Sequence, residues 1–242
     1  TLTITAQSIV PEDPSYRGIK IDDPSDHEYD AQEHKWEPTV TDKEGNELTE
    51  GTDYTVSYDT DNFVDVKTIK VTITGKGNYS GTVTKTYRIT PAPVKVTAAN
   101  KSKTFGDKDP ELTADVTGLY GKDTVEYTLS RESGENVGSY TITASGEADQ
   151  GNYTVNYYPG KLTITKKETL TVTGTPYEGI YDGNDHGSVA SASVTEGTTI
   201  SYKVGEEDWT TTAPTIREVG SKSVKVKAEN PNYETAEAEY TL

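Results

Sequence analysis

Hydrophobic and polar residues alternate with a period of two along much of this chain. In the segment KTIKVTIT, Ile69, Val71 and Ile73 fall on one face, and the lysine and threonines between them fall on the other. The segment SVKVKA does the same with Val224 and Val226. Half-buried strands are therefore predicted at both places. Further strands are predicted at VKVTA (94–98), KLTIT (161–165) and LTVTG (170–174), and no segment has the 3.6-residue period of an amphipathic helix.

Four sequence landmarks recur three times in the same order. Each copy has an aromatic residue early on, at the evenly spaced positions Tyr29, Phe105 and Tyr181. A second landmark reads EGTDYTVSYD, YGKDTVEYTL or EGTTISYKVG, and a third reads DVKTIKVTIT, NVGSYTITAS or EVGSKSVKVKA. The fourth is an Asn-Tyr turn before the last alternating strand, at Asn78-Tyr79, Asn152-Tyr153 and Asn232-Tyr233. This order predicts three homologous repeats, residues 1–91, 92–166 and 167–242.

Short strands separated by frequent turn signals indicate an immunoglobulin-like β-sandwich in each repeat. The predicted fold is all-β, with three tandem immunoglobulin-like β-sandwich domains arranged as an elongated rod. Glycine or asparagine is expected to supply a positive φ at each Asn-Tyr turn, and the tyrosine to pack its ring while its hydroxyl stays in water. A linker such as TPAP should restrict the joint between repeats. The opening TLTIT fits either a first strand or the tail of a preceding repeat.

The charge of the chain excludes some classes of partner. Forty acidic residues against 23 basic ones give a formal net charge of −17. Nucleic acid is an unsuitable partner because phosphate binding needs a basic surface, and an anionic membrane would repel the chain. The sequence contains no cysteine, so it has neither disulfides nor thiolate metal sites. No apolar run is long enough to insert in a membrane. Because it has no starting methionine or signal peptide, the chain is expected to be a segment of a longer protein. This segment is expected to be monomeric.

The middle repeat resembles a known family. KSKTFGDKDPELTADVTGL (101–119) and ENVGSYTITASG with GNYTVNYYPGKLTIT (135–165) are similar to MBG domains of the YGX type, with Phe105 where that family usually has tyrosine. The outer repeats, with YDAQEH and YDGNDHG, resemble the related YDG-type Ig-like repeats. Such repeats occur in tandem in bacterial, often Gram-positive, cell-surface proteins. The resemblance implies a β-sandwich, an extracellular location associated with the cell wall, and no catalytic residues.

Candidate metal ligands are few. The three histidines, His27, His34 and His186, lie in turn-like segments, and a zinc site would need three or four converging ligands. Calcium prefers six to eight oxygen ligands, and acidic clusters between extracellular repeats could supply some of them. Nothing follows the spacing of an EF-hand loop, so no cofactor is predicted, with calcium as the alternative. The calcium candidates are Asp59, Asp61, Asp65, Asp107 and Asp109, with a further acidic group at Asp22, Asp23 and Asp26.

Other chemistry has weaker support. A lysine isopeptide cross-link would suit a cysteine-free surface protein, but the conceivable donors Lys95 and Lys161 alternate with apolar neighbours and should point outward. No nucleophile motif or cleft-forming insertion supports an enzyme. Trp209, in the turn GEEDWTTTAP, is the aromatic residue most suited to contact a ligand.

Two functions fit these observations. The chain is predicted to be a non-catalytic spacer or stalk of a bacterial surface protein, with a role in adhesion also open. The alternative is a module that recognises a host glycan or protein through the loops or sheet edge of one repeat. A binding module should concentrate exposed aromatic and apolar residues on one repeat, whereas a spacer should not.

Overall fold

The structure, a computed structural model, describes residues 2–242. Within that range it contains 23 strands and no helix, which confirms the all-β prediction. No helix in this part of the chain is long and apolar enough to cross a membrane.

Along the chain, the strands can be grouped by the three predicted repeats. The first group is β1 (Gln7–Ser8), β2 (Lys20–Ile21), β3 (His27–Glu28), β4 (Val40–Thr41), β5 (Tyr54–Tyr58), β6 (Lys67–Gly75), β7 (Tyr79–Ser80) and β8 (Thr82–Thr90). The second group is β9 (Ala92–Ala98), β10 (Lys101–Thr104), β11 (Ala114–Thr117), β12 (Thr128–Arg131), β13 (Gly138–Ser145), β14 (Asp149–Gln150), β15 (Tyr153–Tyr158) and β16 (Gly160–Thr165). The third group is β17 (Val172–Gly174), β18 (His186–Gly187), β19 (Ala190–Ala192), β20 (Thr199–Val204), β21 (Thr215–Ile216), β22 (Ser223–Glu229) and β23 (Ala236–Thr241).

The chain divides into two compact units that cross the predicted repeat boundaries. Unit 1 contains Thr1–Val96, Asp115–Thr128 and Ser145–Tyr157, and unit 2 contains Thr97–Ala114, Leu129–Ala144 and Tyr158–Leu242. Unit 1 thus combines the first repeat with most of one middle sheet, and unit 2 combines most of the other middle sheet with the third repeat. The three-repeat boundaries stay a prediction from the sequence.

Unit 1 is built around a four-stranded sheet in the order β3-β8-β6-β5. In β6, Ile69, Val71 and Ile73 are fully buried while Lys70 is exposed, as the alternation predicts. The short β3 pairs in parallel with β8, opposite Ile89 and Thr90. The unit also contains the two-strand pairs β1-β7 and β2-β4, and most of the sheet β11-β9-β15-β14. Strand β9 buries Val94 and Val96, with Lys95 exposed between them.

Unit 2 contains most of the other middle sheet, β10-β16-β13-β12, and the three-stranded sheet β20-β22-β23. Strand β16 buries Leu162 and Ile164 between exposed Lys161 and Thr163, which confirms its predicted face. The pairs β17-β19 and β18-β21 complete the third repeat. Its core is a single apolar cluster made of Leu170, Val172, Ala190, Tyr202, Val224, Val226, Ala228, Tyr240 and Leu242.

The structure tests two local predictions. Residues 2–5 of the opening TLTIT lie outside any strand, and Thr1 lies outside the described residues. The first strand is instead β1, which pairs in parallel with β7. Glycine supplies the positive φ at the first two Asn-Tyr turns, as predicted, with Gly77 at +64° and Gly151 at +63°. The prediction is wrong for the third turn, which has Pro231 before Asn232 and no residue with positive φ.

Candidate functional site

The side chain of Asn152 connects the middle repeat to the first repeat within unit 1. Its Oδ1 accepts a hydrogen bond from the backbone N of Val66 at 2.9 Å, and its Nδ2 donates to Oδ1 of Asp65 at 2.8 Å. Its backbone carbonyl accepts from the N of Ala92, at the start of β9, at 3.0 Å. Asn152 therefore holds both the start of β6 and the linker that follows β8.

Two tyrosines pack beside these hydrogen bonds. The rings of Tyr29 and Tyr153 meet edge to face, with centroids 5.3 Å apart. Both hydroxyls donate to Oδ2 of Asp123, at 2.9 and 2.7 Å. Tyr29 is 5% exposed and Tyr153 is 4% exposed. We call Tyr29, Asp65, Val66, Asn152 and Tyr153 the first junction.

Burial at the first junction changes the acidity of its groups. Burial, supported by the hydrogen bond to Asp123, raises the pKa of Tyr153 to about 12. Hydrogen bonds from Asn62 and Asn152 lower the pKa of Asp65 below its ordinary value. The tyrosine hydroxyls are thus buried and bonded to a carboxylate, and the prediction that the hydroxyl of the Asn-Tyr turn stays in water is wrong for Tyr153.

The third repeat makes the same contacts with the middle repeat within unit 2. Oδ1 of Asn232 accepts from the N of Val137 at 2.8 Å, and Nδ2 donates to Oδ1 of Asn136 at 3.0 Å. The carbonyl of Asn232 accepts from the N of Lys167 at 3.0 Å. The rings of Phe105 and Tyr233 meet edge to face, 5.5 Å apart. We call Phe105, Asn136, Val137, Asn232 and Tyr233 the second junction.

The two junctions use equivalent positions of the sequence landmarks. Tyr29 and Phe105 belong to the first landmark, and the pairs Asp65-Val66 and Asn136-Val137 open the third. The Asn-Tyr turn of each following repeat supplies the other half. In the first repeat, the carbonyl of Asn78 accepts from the N of Gln7 at 2.9 Å, the same bond that its two counterparts make. Its side chain is exposed.

Sequence reasoning located the junction residues but missed what they do together. The landmarks showed that an aromatic residue and an Asn-Tyr turn recur, but each was assigned to its own repeat. The signal that could have paired them is the near-constant separation between one repeat's aromatic residue and the next repeat's Asn-Tyr turn.

The calcium candidates do not form a ligand group, and the carboxylates of Asp59, Asp65 and Asp109 already accept hydrogen bonds. Oδ1 of Asp59 accepts from the N of Lys70 at 2.9 Å, Asp65 belongs to the first junction, and Asp61 is exposed. Asp107 accepts from Lys103 through its backbone carbonyl at 3.2 Å. Between residues 2 and 242, no group of three or more histidine, aspartate or glutamate side chains is arranged to hold a metal ion. Calcium binding stays a prediction without a located site.

The carboxylates of the second acidic group already have partners as well. Oδ1 of Asp22 accepts from the N of Thr39 at 2.7 Å, and Oδ1 of Asp26 accepts from the N of Arg88 at 2.7 Å. Asp23 pairs with Lys85. Asp23 and Asp26 both contact β8, whereas Asp22 contacts the residue before β4, and within residues 2–242 they form no group of three metal ligands.

Lys103 is the buried lysine of the middle repeat, and the sequence did not single it out. It is 8% exposed, and its Nζ donates to Oδ1 of Asp109 at 2.7 Å and to Oε2 of Glu135 at 2.5 Å. Arg131 binds the same two carboxylates, with its Nε 2.7 Å from Oδ2 of Asp109. These four residues form an ion-pair network on the sheet β10-β16-β13-β12 and its adjoining loops.

This network is poorly suited to an isopeptide bond. Hydrogen bonds to Asp109 and Glu135 raise the pKa of Lys103, and those from Arg131 and Lys103 lower the pKa of Asp109. A lysine nucleophile must be neutral, so both shifts oppose amide formation. Lys95 and Lys161 are exposed, as expected. The network instead keeps both partners charged.

The histidines of the outer repeats lie in matching loops. Nε2 of His34 is 2.8 Å from Oδ1 of Asp30, and Nε2 of His186 is 2.8 Å from Oδ1 of Asp182. His34 stacks on His27, and His186 stacks on Tyr177, with ring centroids 4.3 and 4.4 Å apart. Hydrogen bonds from Asn184 and His186 lower the pKa of Asp182 to about 2. Each histidine stabilises the loop that follows the landmark tyrosine.

Trp209 lies on the surface of the third repeat and is 37% exposed. Nζ of Lys227 is 4.8 Å from the centroid of its ring, and Lys227 also pairs with Glu229 at 2.9 Å. The next residue, Thr210, bonds to Tyr202 through both backbone groups. One face of the indole is therefore engaged by a lysine, and a ligand role for Trp209 stays a prediction.

Comparisons with known proteins identify the middle of the chain. Residues 94–163 match the family model of the MBG domain (YGX type), which confirms the resemblance of the middle repeat. Among curated proteins, none matches the chain significantly. The MBG match agrees with an Ig-like repeat module of structural rather than catalytic character.

Solved structures of cadherin-type proteins show a weak similarity. The extracellular domain of protocadherin GammaB4 gives a TM-score of 0.32 at 13% identity, covering 93% of this chain and 50% of that one. The human desmocollin-1 ectodomain gives a TM-score of 0.25 at 9% identity, and the match covers 93% of this chain and 60% of that one. Mouse cadherin-23 EC22-24 gives a TM-score of 0.24 at 9% identity, and the match covers 93% of this chain and 98% of that one. The chain spans about half the length of the protocadherin structure, and TM-scores this low say nothing about its function.

Proposed function

We propose that this chain is a non-catalytic extracellular spacer of a bacterial surface protein, in which each Ig-like repeat docks on the next through an Asn-Tyr junction. The observation that carries this proposal is the repetition of one contact geometry. At both junctions an asparagine bonds a backbone N, a side-chain oxygen and the linker, beside an edge-to-face aromatic pair.

The length of the first linker supports a restricted joint. Strand β8 ends at Thr90 and β9 begins at Ala92, so Pro91 alone separates the strands of two repeats. Proline fixes its own φ, and Asn152 holds the residue directly after it. Rotation of the repeats about this linker would break the hydrogen bonds of the first junction. A short linker and a specific contact together suit a spacer that holds adjacent repeats at a fixed distance and orientation.

The composition and the family match support the extracellular setting. A net charge of −17 over 242 residues keeps an exposed protein soluble and repels nucleic acid and anionic surfaces. The absence of cysteine suits a bacterial surface protein that does not depend on disulfides. The MBG match over residues 94–163 supports a repeat of that kind. Association with the cell wall is part of the proposal.

The proposal is tested by measuring flexibility across the first junction. The chain has no cysteine, so two can be introduced for dye labelling, at the exposed positions Thr86 and Asp149 of unit 1. Asn152→Ala should broaden the distance distribution between the dyes, because the repeats lose their fixed contact. Asn78→Ala, in the equivalent turn with an exposed side chain, should leave the distribution unchanged. An unchanged distribution in Asn152→Ala would contradict the spacer mechanism.

A second candidate function is recognition of a host glycan or protein by the third repeat. The observation that favours it is a set of exposed apolar side chains on that repeat, with Ile180 92% exposed and Val219 87% exposed, in addition to Trp209. Saturable binding to a mucin or glycan array, lost in Trp209→Ala, would support this function. If no component of the array binds, the spacer is left as the supported function.

A further inference from the structure

The third repeat exposes apolar residues at positions that the other two repeats cover. Tyr181 is 59% exposed, whereas its counterpart Tyr29 is 5% exposed beneath Tyr153. Ile180, Tyr181, Glu218, Val219 and Leu242 line a groove of about 370 Å³. We call these five residues the open end. All of them belong to unit 2.

The loop geometry shows that Tyr181 corresponds to Tyr29. After each tyrosine comes an aspartate whose Oδ1 accepts from the N of the residue two positions on, at 2.9 Å in both loops. The same oxygen lies 2.8 Å from Nε2 of the histidine four residues after the aspartate, in both loops. The residue between has a positive φ in each loop, +62° at Ala31 and +79° at Gly183. Two loops with the same turn and the same histidine contact place their tyrosines equivalently.

In sequence, Glu218 and Val219 are the counterparts of the other junction positions. Strand pairing shifts these positions by two residues, because Lys222 pairs with Leu242 as Gly138 pairs with Ile164, so Ser221 takes the place of Val137. Glu218-Val219 opens the third landmark of its repeat, as Asp65-Val66 and Asn136-Val137 do in theirs. At the two junctions, the backbone N of the valine and the side-chain oxygen before it bind an asparagine. Glu218 presents a carboxylate there, as Asp65 does.

We propose that the open end binds the Asn-Tyr turn of a following Ig-like repeat. The asparagine accepts a hydrogen bond from the backbone N of Ser221 and donates one to the carboxylate of Glu218, and the tyrosine packs edge to face on Tyr181. The first and second junctions of this chain each hold an Asn-Tyr turn in the same arrangement. The occupant proposed for the open end is therefore an Asn-Tyr turn rather than a host ligand. The inference rests on the proposed spacer function and adds the partner that its last repeat would hold.

The test joins a following repeat to the 242-residue chain. Leu242 is buried two positions after Tyr240, as Ile164 is buried two positions after Leu162. A second copy of residues 165–242 is therefore joined directly after Leu242. Backbone hydrogen exchange is then compared, in the original and extended chains, for residues 177–181 and 216–221. The extended chain should exchange at least about tenfold more slowly in both segments, because junction contacts cover them.

Variants of the extended chain make the test specific. Asn232→Ala in the added copy should remove the protection, whereas Asn184→Ala in the added copy should keep it, since Asn184 contacts only its own loop. Tyr181→Ser in the first copy changes an exposed side chain, so the repeat should still fold while the protection falls.

The outcomes separate this inference from the proposed function. If the extended chain gains no protection while Asn152→Ala still loosens the first junction, the open end is not a docking site and the spacer proposal survives. If Asn152→Ala has no effect either, the spacer mechanism itself fails. If a mucin or glycan protects the same two segments of the original 242-residue chain, the host-ligand alternative replaces a following repeat as the occupant.

Discussion

At the scale of single residues, the asparagine of the Asn-Tyr turn has the clearest energetic role. Asn152 satisfies one backbone donor and one carboxylate oxygen with a single amide. Removing that amide leaves the N of Val66 partly buried without its acceptor, and unsatisfied buried polar groups cost about 1–3 kcal/mol. We expect Asn152→Ala and Asn232→Ala each to lower the free energy of unfolding by about that amount, measured by urea denaturation.

The first repeat provides the control for this prediction. Asn78 occupies the same turn with an exposed side chain, so Asn78→Ala should change the free energy of unfolding by less than about 0.5 kcal/mol. Equal losses at all three asparagines would mean that the residue stabilises its own turn. The junction explanation would then be wrong.

The two junctions differ at one residue, which predicts different responses to acid. The amide of Asn152 donates to the carboxylate of Asp65, whereas that of Asn232 donates to the neutral side chain of Asn136. The pKa of Asp65 is lowered in the folded protein from an ordinary value of 3.8. Its contribution to stability is therefore fully present above that value and is lost as the pH falls through the lower folded pKa.

We expect the effect of Asn152→Ala on stability to shrink on going from about pH 7 to well below pH 3.8, because the bond it removes is weaker once Asp65 is protonated. The effect of Asn232→Ala should stay constant over the same range. Thermal unfolding of both variants beside the parent protein at each pH measures this. An Asp65→Asn background should abolish the difference between the two junctions, and its persistence there would show that another group causes it.

At the scale of strands, the sequence predicted the faces of long elements well. Strands β6, β9, β16 and β22 each alternate β-branched or aliphatic residues with polar ones, and each buries the expected set. A period of two is a local property, so it can be read from a few consecutive residues. The two-residue strands β1, β2 and β7 are too short to show any period, which is why they were not predicted.

Patterns within one strand do not predict the junctions, because the junctions join residues that are distant in sequence. Asn152 lies far from Asp65 along the chain, and nothing local to either residue specifies the contact. Lys103 illustrates a second limit. Its strand, KSKT, looks polar throughout, yet the burial of Lys103 is compensated by Asp109 and Glu135, which come from other segments. Patterns within one strand predict which face is buried, but not which charges are paired there.

The short linker between β8 and β9 favours formation of the first junction. With Pro91 alone between the strands, Asn152 meets Asp65 and Val66 of the first repeat at a high effective concentration. Inserting Gly-Gly after Pro91 should weaken the junction, lowering the unfolding midpoint and broadening the dye distance distribution between positions 86 and 149. The same insertion after Gly205, in an exposed turn, should change neither measurement. If the insertion after Pro91 is tolerated equally well, the contacts hold the repeats without help from the linker.

At the scale of the whole molecule, the excess of acidic residues raises the question of calcium. Forty acidic side chains could attract the ion, but high affinity needs several oxygens converging on one point. Three of the candidate carboxylates already have partners: Asp59 accepts from a backbone amide, Asp65 from Asn62 and Asn152, and Asp109 from Lys103 and Arg131. Binding calcium would require these carboxylates to give up their present partners.

We therefore expect millimolar calcium to raise the unfolding temperature no more than the same ionic strength of sodium chloride, because both screen the net charge of −17. Thermal unfolding with calcium, with calcium plus chelator, and with matched sodium chloride distinguishes specific binding from screening. A saturable rise with calcium that chelator reverses, and that Asp59→Asn or Asp109→Asn removes, would establish a site. The junctions would then depend on the ion as well as on the asparagines, and the response of Asn152→Ala to calcium would show whether the ion acts at the first junction.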